Sequence, residues 1–157
     1  MFQRSRKGYI EEMIEKMAEV IAFMLTAKNS GRYEAALARA AEECKQMTGL
    51  NIATLTMLPD DTLLDLLSMG GGLDAGRCFL AGRLLEAQAQ IYETQSRTVA
   101  AHVSLHKALV LLIDALHHDA ALRTAENRTL IEEILARLSG YDLPDDLQTR
   151  IAAYRAS

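Results

Sequence analysis

Apolar residues recur every three or four positions along most of the chain, which is the period of an α-helix. The predicted helices cover about residues 7–28, 32–47, 74–95, 98–118, 124–139 and 144–155, with a short helix after Pro59. β-Branched residues never alternate with polar ones over a useful length, so no strand is predicted. We therefore expect an all-α fold of about six to seven helices arranged as antiparallel hairpins.

Turn and capping residues separate the predicted helices. The turn at 29–31 (Asn-Ser-Gly) leaves only a few residues between the first two helices, so these two should pack antiparallel. Gly49 is a C-terminal stop signal, and Asp74 is an N-cap signal for the helix that follows three glycines. The tetrapeptide Leu-Pro-Asp-Asp occurs at 58–61 and again at 143–146. In both, proline suits the first helical position and the aspartates suit the positive end of the helix dipole.

The bulk composition fits one globular domain over residues 1–157. Hydrophobic residues make up 50% and charged residues 24%, which is not the composition of a disordered chain. The formal net charge is −4, and the sequence has no basic stripe beyond Arg4, Arg6 and Lys7. Because nucleic-acid binding relies on neutralising phosphates, no nucleic-acid partner is expected.

Neither a targeting segment nor a membrane segment is predicted. Glutamates at Glu11 to Glu19 interrupt what would be the apolar part of a signal peptide. The apolar run at 109–113 is far too short to cross a bilayer. The two cysteines, Cys44 and Cys78, are too few for a disulfide framework or a cysteine metal site. We therefore expect a cytoplasmic protein without a membrane partner.

Two stretches place a small residue shortly after a turn of polar residues. The stretches are SGRYEAALARAAEE and QSRTVAAHVSLHKALVL. Ala36 and Ala101 fall where the second helix of a hairpin approaches the first, and small side chains let two helices come close. With Ala89 and Tyr92 in the preceding helix, the second stretch resembles the tetratricopeptide repeat, a helix-turn-helix unit of about 34 residues.

This resemblance implies a layout within the single domain. The unit at about 75–118 matches the repeat better, whereas the unit at about 9–47 has Met24 at the small position of its first helix. Neither unit keeps the proline that usually closes a repeat. An insertion at about 49–73 separates the two units, and further helices follow at about 124–155.

Further stretches carry a wider resemblance. In chain order they are GYIEEMIEKMAEVIAFML, GRYEAALARAAEE, LPDDTLLDLL, GGLDAGRCFLAGRLLEAQAQIYE and KALVLLIDAL. From residue 8 to about 155 the chain resembles a bacterial family, a domain of unknown function with tetratricopeptide-like hairpins and no assigned biochemical activity. The resemblance implies an all-helical fold in a bacterial, cytoplasmic setting. It supplies no catalytic residue, and no cofactor is expected.

One glycine-rich segment could bind phosphate. GGLDAGRC, at 71–78, has glycines spaced as in a phosphate-binding loop, but Arg77 and Cys78 replace the Lys-Ser or Lys-Thr that such a loop needs. The segment also follows a predicted helix and not a strand. A helix stop, a turn and the Asp74 cap explain it better.

One histidine pair could hold a metal. His102 and His106 are four residues apart and share a helix face, but the sequence shows no third ligand that converges on them. No metal is therefore predicted. A small-ligand or metal-dependent enzyme using the histidine-bearing helix 98–118 is the alternative function.

Carboxylate pairs and Cys44 are also better explained by structural roles. Adjacent glutamates on a helix point in different directions, so each pair is expected on a solvated face. Cys44 lies on an alanine-rich stripe and is expected to be a buried, inert thiol. The pairs are Glu11/Glu12, Glu42/Glu43 and Glu132/Glu133. Without a catalytic signature, the chain is not expected to be an enzyme.

The predicted function is a non-enzymatic scaffold or adaptor that binds a protein partner. By the tetratricopeptide resemblance, the first helix of the second unit would line a concave face. Its polar residues of mixed charge would suit a peptide or a charged ligand. They are Arg83, Glu86, Gln90 and Glu93.

The first helix also predicts self-association. Its apolar residues cover roughly 200° of the circumference, about twice the arc that packing on one neighbour needs. The second helix would cover one half. The segment at 55–67, the C-terminal helix or a second copy of the chain would cover the other, and a homodimer is the expected solution. Its contacts would come from Met13, Met17 and Ile21.

Overall fold

The computed structural model describes residues 6–68 and 74–157, and within them the chain is all-α. Over those residues it forms eight α-helices and a single-turn 3₁₀-helix at Ala120–Leu122. The α-helices are α1 (Arg6–Asn29), α2 (Tyr33–Thr48), α3 (Ile52–Met57), α4 (Asp60–Leu66), α5 (Ala75–Thr94), α6 (Thr98–His118), α7 (Ala125–Leu138) and α8 (Asp145–Ala156). The predicted all-α fold is confirmed. Helix α3 was not predicted, because six residues are too short a window for a helical period.

Helix α5 occupies the centre of the molecule. Its most extensive contact is with α6, and it also packs against both α1 and α2. Helices α7 and α8 pack against α6. Because α5 has neighbours on nearly every side, its residues from Ala75 to Ile91 are buried except for a narrow polar strip.

The two central helices come close together at Gly82. A β-carbon at this position would lie 2.8 Å from Leu112 Cγ and 3.3 Å from the Ala108 carbonyl oxygen. Leu112 is itself 1% exposed, so it has no free space into which to move. Ala101, predicted at a close approach, is buried as well. The absence of a side chain at Gly82 therefore sets the spacing of α5 and α6.

Local signals end and start several helices as the sequence indicates. Gly49 follows α2 in the left-handed conformation (φ 75°), which glycine adopts without strain. The Asp74 carboxylate accepts a hydrogen bond from the Arg77 backbone N–H at 3.1 Å and so caps α5. Pro59 and Pro144 were predicted at first helical positions, but both lie one residue earlier, and the following aspartate opens the helix.

By length and composition alone, α6 is apolar enough to cross a membrane. However, 67% of its most apolar window is buried against the other helices. A helix at the core of a folded domain meets the same criteria, so the observation is weak evidence for a membrane segment.

Candidate functional site

A polar strip runs along one side of α5. Its residues on α5 are Arg83, Glu86, Gln90 and Glu93. They are spaced by three, four and three residues, which places them on one side of the helix. The ends of α1 and α7 each contribute one cation to this strip. The set, here named the α5 face, is Lys28, Arg83, Glu86, Gln90, Glu93 and Arg137.

Most of the α5 face forms one hydrogen-bonded chain. Arg137 of α7 donates from Nη1 to Glu86 Oε1 at 2.8 Å, and the same guanidinium also pairs with Glu93. Gln90 donates from Nε2 to Glu86 Oε1 at 2.8 Å. Lys28 Nζ, at the end of α1, lies 3.4 Å from Gln90 Oε1. The network therefore joins α1, α5 and α7.

The expectation that these α5 residues lie on a solvated face is wrong for Glu86. Glu86 is only 6% exposed, because α7 brings Arg137 over it. Gln90 is half-buried, and Glu93 is exposed as expected. The two members of the Glu86–Arg137 pair are 51 residues apart, so no local pattern could have predicted their contact.

Arg83 differs from the rest of the face. It is half-buried, and its Nε atom is inaccessible yet has no hydrogen-bond partner. Within residues 6–68 and 74–157, no carboxylate forms an ion pair with Arg83. Polar groups removed from water are normally hydrogen-bonded, so this N–H is an unusual feature. Arg83 is the one charged group of the face, among the described residues, that the fold does not use.

A small cavity of about 220 Å³ adjoins one end of the α5 face and shares Glu93 and Arg137 with it. His102 and Tyr141 form its other polar wall, with ring centroids 4.5 Å apart. His102 Nδ1 is buried without a hydrogen-bond partner. Burial lowers the pKa of His102, and nearby His106 lowers it further, which favours the neutral imidazole.

His106, the second histidine of the predicted pair, contacts Asp60 at the start of α4. His106 Nε2 lies 2.9 Å from Asp60 Oδ2, and Lys107 Nζ donates to Asp60 Oδ1 at 2.6 Å. Burial of Asp60 raises its pKa, but the hydrogen bonds and charges of His106 and Lys107 outweigh burial and lower the pKa to about 2. In the part of the chain that the structure describes, no three His, Cys, Asp or Glu side chains lie close enough to hold a metal ion.

The residues predicted for self-association lie mostly inside the single chain. Met17 and Ile21 are 2% and 8% exposed, and Met13 is half-buried. Helix α1 packs against α5 as extensively as against α2. We expected the second half of the apolar arc of α1 to be covered by the 55–67 segment, the C-terminal helix or a second chain. This expectation is wrong. The central helix α5, which the sequence interpretation did not consider, covers that half.

Of two neighbouring residues on α2, Glu43 contradicts the sequence prediction and Cys44 confirms it. Glu43 was expected on a solvated face, but it is 0% exposed, with Lys16 Nζ at 3.4 Å and Arg39 at 3.9 Å. Cys44 is buried as predicted, and burial raises its pKa, which favours the unreactive thiol form. Burial likewise raises the pKa of Cys78 to about 12.

Residues 69–73, which include the start of the glycine-rich segment, lie outside the described residues. Its last residues have structural contacts. Beside the Asp74 cap, the Arg77 guanidinium donates to the carbonyl oxygens of Met47 at 3.1 Å and Thr48 at 2.8 Å. The side chain in the place of the phosphate-binding lysine therefore ties α5 to the end of α2.

Comparisons of the chain with protein-family models, with curated proteins and with solved structures found no match. The resemblance to a bacterial family with tetratricopeptide-like hairpins therefore stays a prediction from the sequence. The features that bear on function are the geometry of the α5 face and the charges around it.

Proposed function

We propose that this chain is a non-enzymatic helical scaffold that binds a protein partner through the α5 face, with Arg83 as the main contact. The observation that carries the proposal is the unused guanidinium of Arg83, with its buried and unpartnered Nε. An inaccessible N–H without a partner costs about 1–3 kcal/mol. Because Nε is inaccessible in the free chain, the half-buried side chain would have to turn outward to meet a partner's carboxylate, and that pairing would remove the cost.

The charges of the α5 face favour an acidic segment of the partner. The face holds three cations, Lys28, Arg83 and Arg137, and two carboxylates, Glu86 and Glu93. Both carboxylates are already paired with Arg137. The face therefore carries one cation in excess, on a chain whose formal net charge is −4. Such a local excess attracts a negatively charged group.

The rigid surroundings of Arg83 also support recognition. Helix α5 is buried on its other sides, and the hydrogen bonds of Lys28, Gln90 and Arg137 link three helices across the face. A surface held in this way loses little conformational entropy when a ligand binds. Stacked helical hairpins commonly present such extended binding surfaces, which fits the predicted tetratricopeptide-like layout.

Affinity capture from the source cell tests the proposal with a matched pair of variants. Arg83→Glu reverses the charge that is proposed to contact the partner. Arg155→Glu makes the same change at an exposed arginine of α8 that is not part of the α5 face. We expect mass spectrometry to find a protein that the wild type and Arg155→Glu retain and that Arg83→Glu loses. Equal retention by both variants would reject the site.

Self-association, a bacterial cytoplasmic setting and the lack of a cofactor remain parts of the proposal. Because Met17 and Ile21 are buried, a dimer through α1 would have to use its exposed side, where Phe23 is 43% exposed. Sedimentation equilibrium at micromolar concentration tests the dimer. A mass near 17.3 kDa would contradict it.

A further inference from the structure

A second candidate site lies where the C-terminal half of α6 meets α7 and α8, and it shares no residue with the α5 face. These helices border an open cavity of about 480 Å³, a size typical of small-molecule sites. Ile113 and Leu116 of α6 and Ala153 and Tyr154 of α8 supply much of its wall. The lining is therefore mainly apolar, although the helices around it are charged.

Three arginines line this cavity, against one carboxylate. Arg150 is neutralised within the fold, because its guanidinium donates to Asp114 at 3.1 Å and to Asp61 at 2.7 Å. Neither Arg123 nor Arg128 has a carboxylate within ion-pair distance among the described residues. Arg123 and Arg128 therefore have no ion-pair partner of their own among the described residues, and the nearby Glu132 is paired with Arg155 at 3.8 Å.

Of these two arginines, Arg123 is held in place by neutral groups. Arg123 donates to the carbonyl oxygens of Leu116 at 2.6 Å and His117 at 2.7 Å, which end α6. Arg128 is exposed and lies close enough to the Tyr154 hydroxyl to affect its pKa. Burial raises the pKa of Tyr154, which favours the protonated phenol, a hydrogen-bond donor. Each guanidinium still has N–H groups that can bind an anion.

We propose that this cavity binds a small amphipathic carboxylate, a molecule with an apolar chain or ring and one carboxylate group. The apolar part would lie against Ile113, Leu116 and Ala153, and the carboxylate would bind between Arg123 and Arg128. A neutral apolar molecule would leave both guanidinium groups unbalanced, whereas a small inorganic anion would leave the apolar wall in water. A ligand that combines the two properties satisfies both parts of the lining.

Isothermal titration of the purified chain with decanoate tests this assignment. Decanol, which keeps the chain but lacks the charge, and acetate, which keeps the carboxylate but lacks the chain, are the comparison ligands. We expect decanoate to bind with a Kd below about 1 mM and both comparison ligands to bind at least tenfold more weakly. Undetectable binding of decanoate would overturn the proposal, and equal binding of decanol would overturn the role of the arginines.

Two pairs of variants locate the binding site. Arg128→Gln removes one proposed contact and should weaken decanoate binding about tenfold, the value of one charge-assisted hydrogen bond. Arg155→Gln is its control, because Arg155 lies on α8 but does not line the cavity. Ala153→Phe should fill the cavity and abolish binding, whereas Ala152→Phe should not. Both alanines are exposed, so neither change threatens folding. Equal effects of a cavity variant and its control would overturn the assignment.

Discussion

Arg83 combines a cost in stability with a proposed role in binding. A half-buried guanidinium whose Nε has no partner loses hydration without a compensating hydrogen bond. Functional sites often keep such unfavourable groups, because the groups become satisfied only in the complex. If Arg83 is retained for binding, its removal should make the free chain more stable.

We therefore expect Arg83→Met to raise the free energy of unfolding by about 1 kcal/mol, since methionine fills the space of the side chain as far as Nε and needs no hydrogen bond. Urea denaturation followed by circular dichroism measures the change. Arg155→Met, at an exposed position, should stay within about 0.5 kcal/mol of the wild type. A loss of stability in Arg83→Met would show that the arginine has a structural partner.

Asp60 predicts a pH dependence of stability. Its pKa is about 2 in the folded chain, whereas the ordinary value for an aspartate is 3.8. A carboxylate with a lowered folded pKa stabilises the fold above the unfolded pKa, and this contribution disappears as the pH falls from near 4 to near 2. The shift corresponds to about 2 kcal/mol.

The measurement compares the wild type with Asp60→Asn at pH 5 and pH 2. We expect the free energy of unfolding of the wild type to fall by about 2 kcal/mol more than that of the variant. Parallel losses in the two proteins would mean that the contacts of Asp60 with His106 and Lys107 do not lower its pKa.

At the scale of secondary-structure elements, the contact between α5 and α6 depends on Gly82. Alanine would favour the helix by about 1 kcal/mol, but its β-carbon would lie 2.8 Å from Leu112 Cγ, which cannot move. Overpacking a core costs about 1–3 kcal/mol. We expect Gly82→Ala to be destabilising overall, by about 1–2 kcal/mol in urea denaturation.

A double variant separates overpacking from other causes. Leu112→Ala removes the atoms that the new β-carbon would meet and should itself cost about 2–5 kcal/mol through the cavity it leaves. If steric conflict is the cause, adding Gly82→Ala to Leu112→Ala should cost little or nothing more. Additive losses would show that the two side chains do not compete for the same space.

Elements whose signals are local were predictable from the sequence, and contacts between distant elements were not. The cap at Asp74 and the stop at Gly49 depend on residues within one turn, so the pattern predicts them correctly. Glu43 and Glu86 were expected to be solvated because polar residues usually are. Their burial depends on cations from other helices, which periodicity does not register.

The same limit applies to the candidate site. The spacing of Arg83, Glu86, Gln90 and Glu93 correctly placed them on one side of α5. It could not show that Arg137 would reach two of them, leaving Arg83 unpaired. A glycine inside an apolar helix was the available signal for the close approach at Gly82, because glycine costs helix stability unless contact requires it.

At the scale of the whole molecule, α1 belongs to the core of the single chain. Met17→Glu should therefore unfold the protein and not merely separate two copies. A carboxylate at a position that is 2% exposed would cost on the order of 3 kcal/mol or more. Phe23→Glu, at an exposed position of the same helix, is the control. Thermal unfolding followed by circular dichroism should show a large loss for the first variant and a small one for the second.

The central claim, that the α5 face binds a protein partner, is tested most directly by photo-crosslinking in the source cell. A photo-reactive residue at Gln90 would lie within the face, and one at Arg155 would lie outside it. We expect a covalent adduct of defined mass only from position 90, and its loss when Arg83→Glu is added. No adduct from position 90, or an adduct unchanged by Arg83→Glu, would contradict the claim.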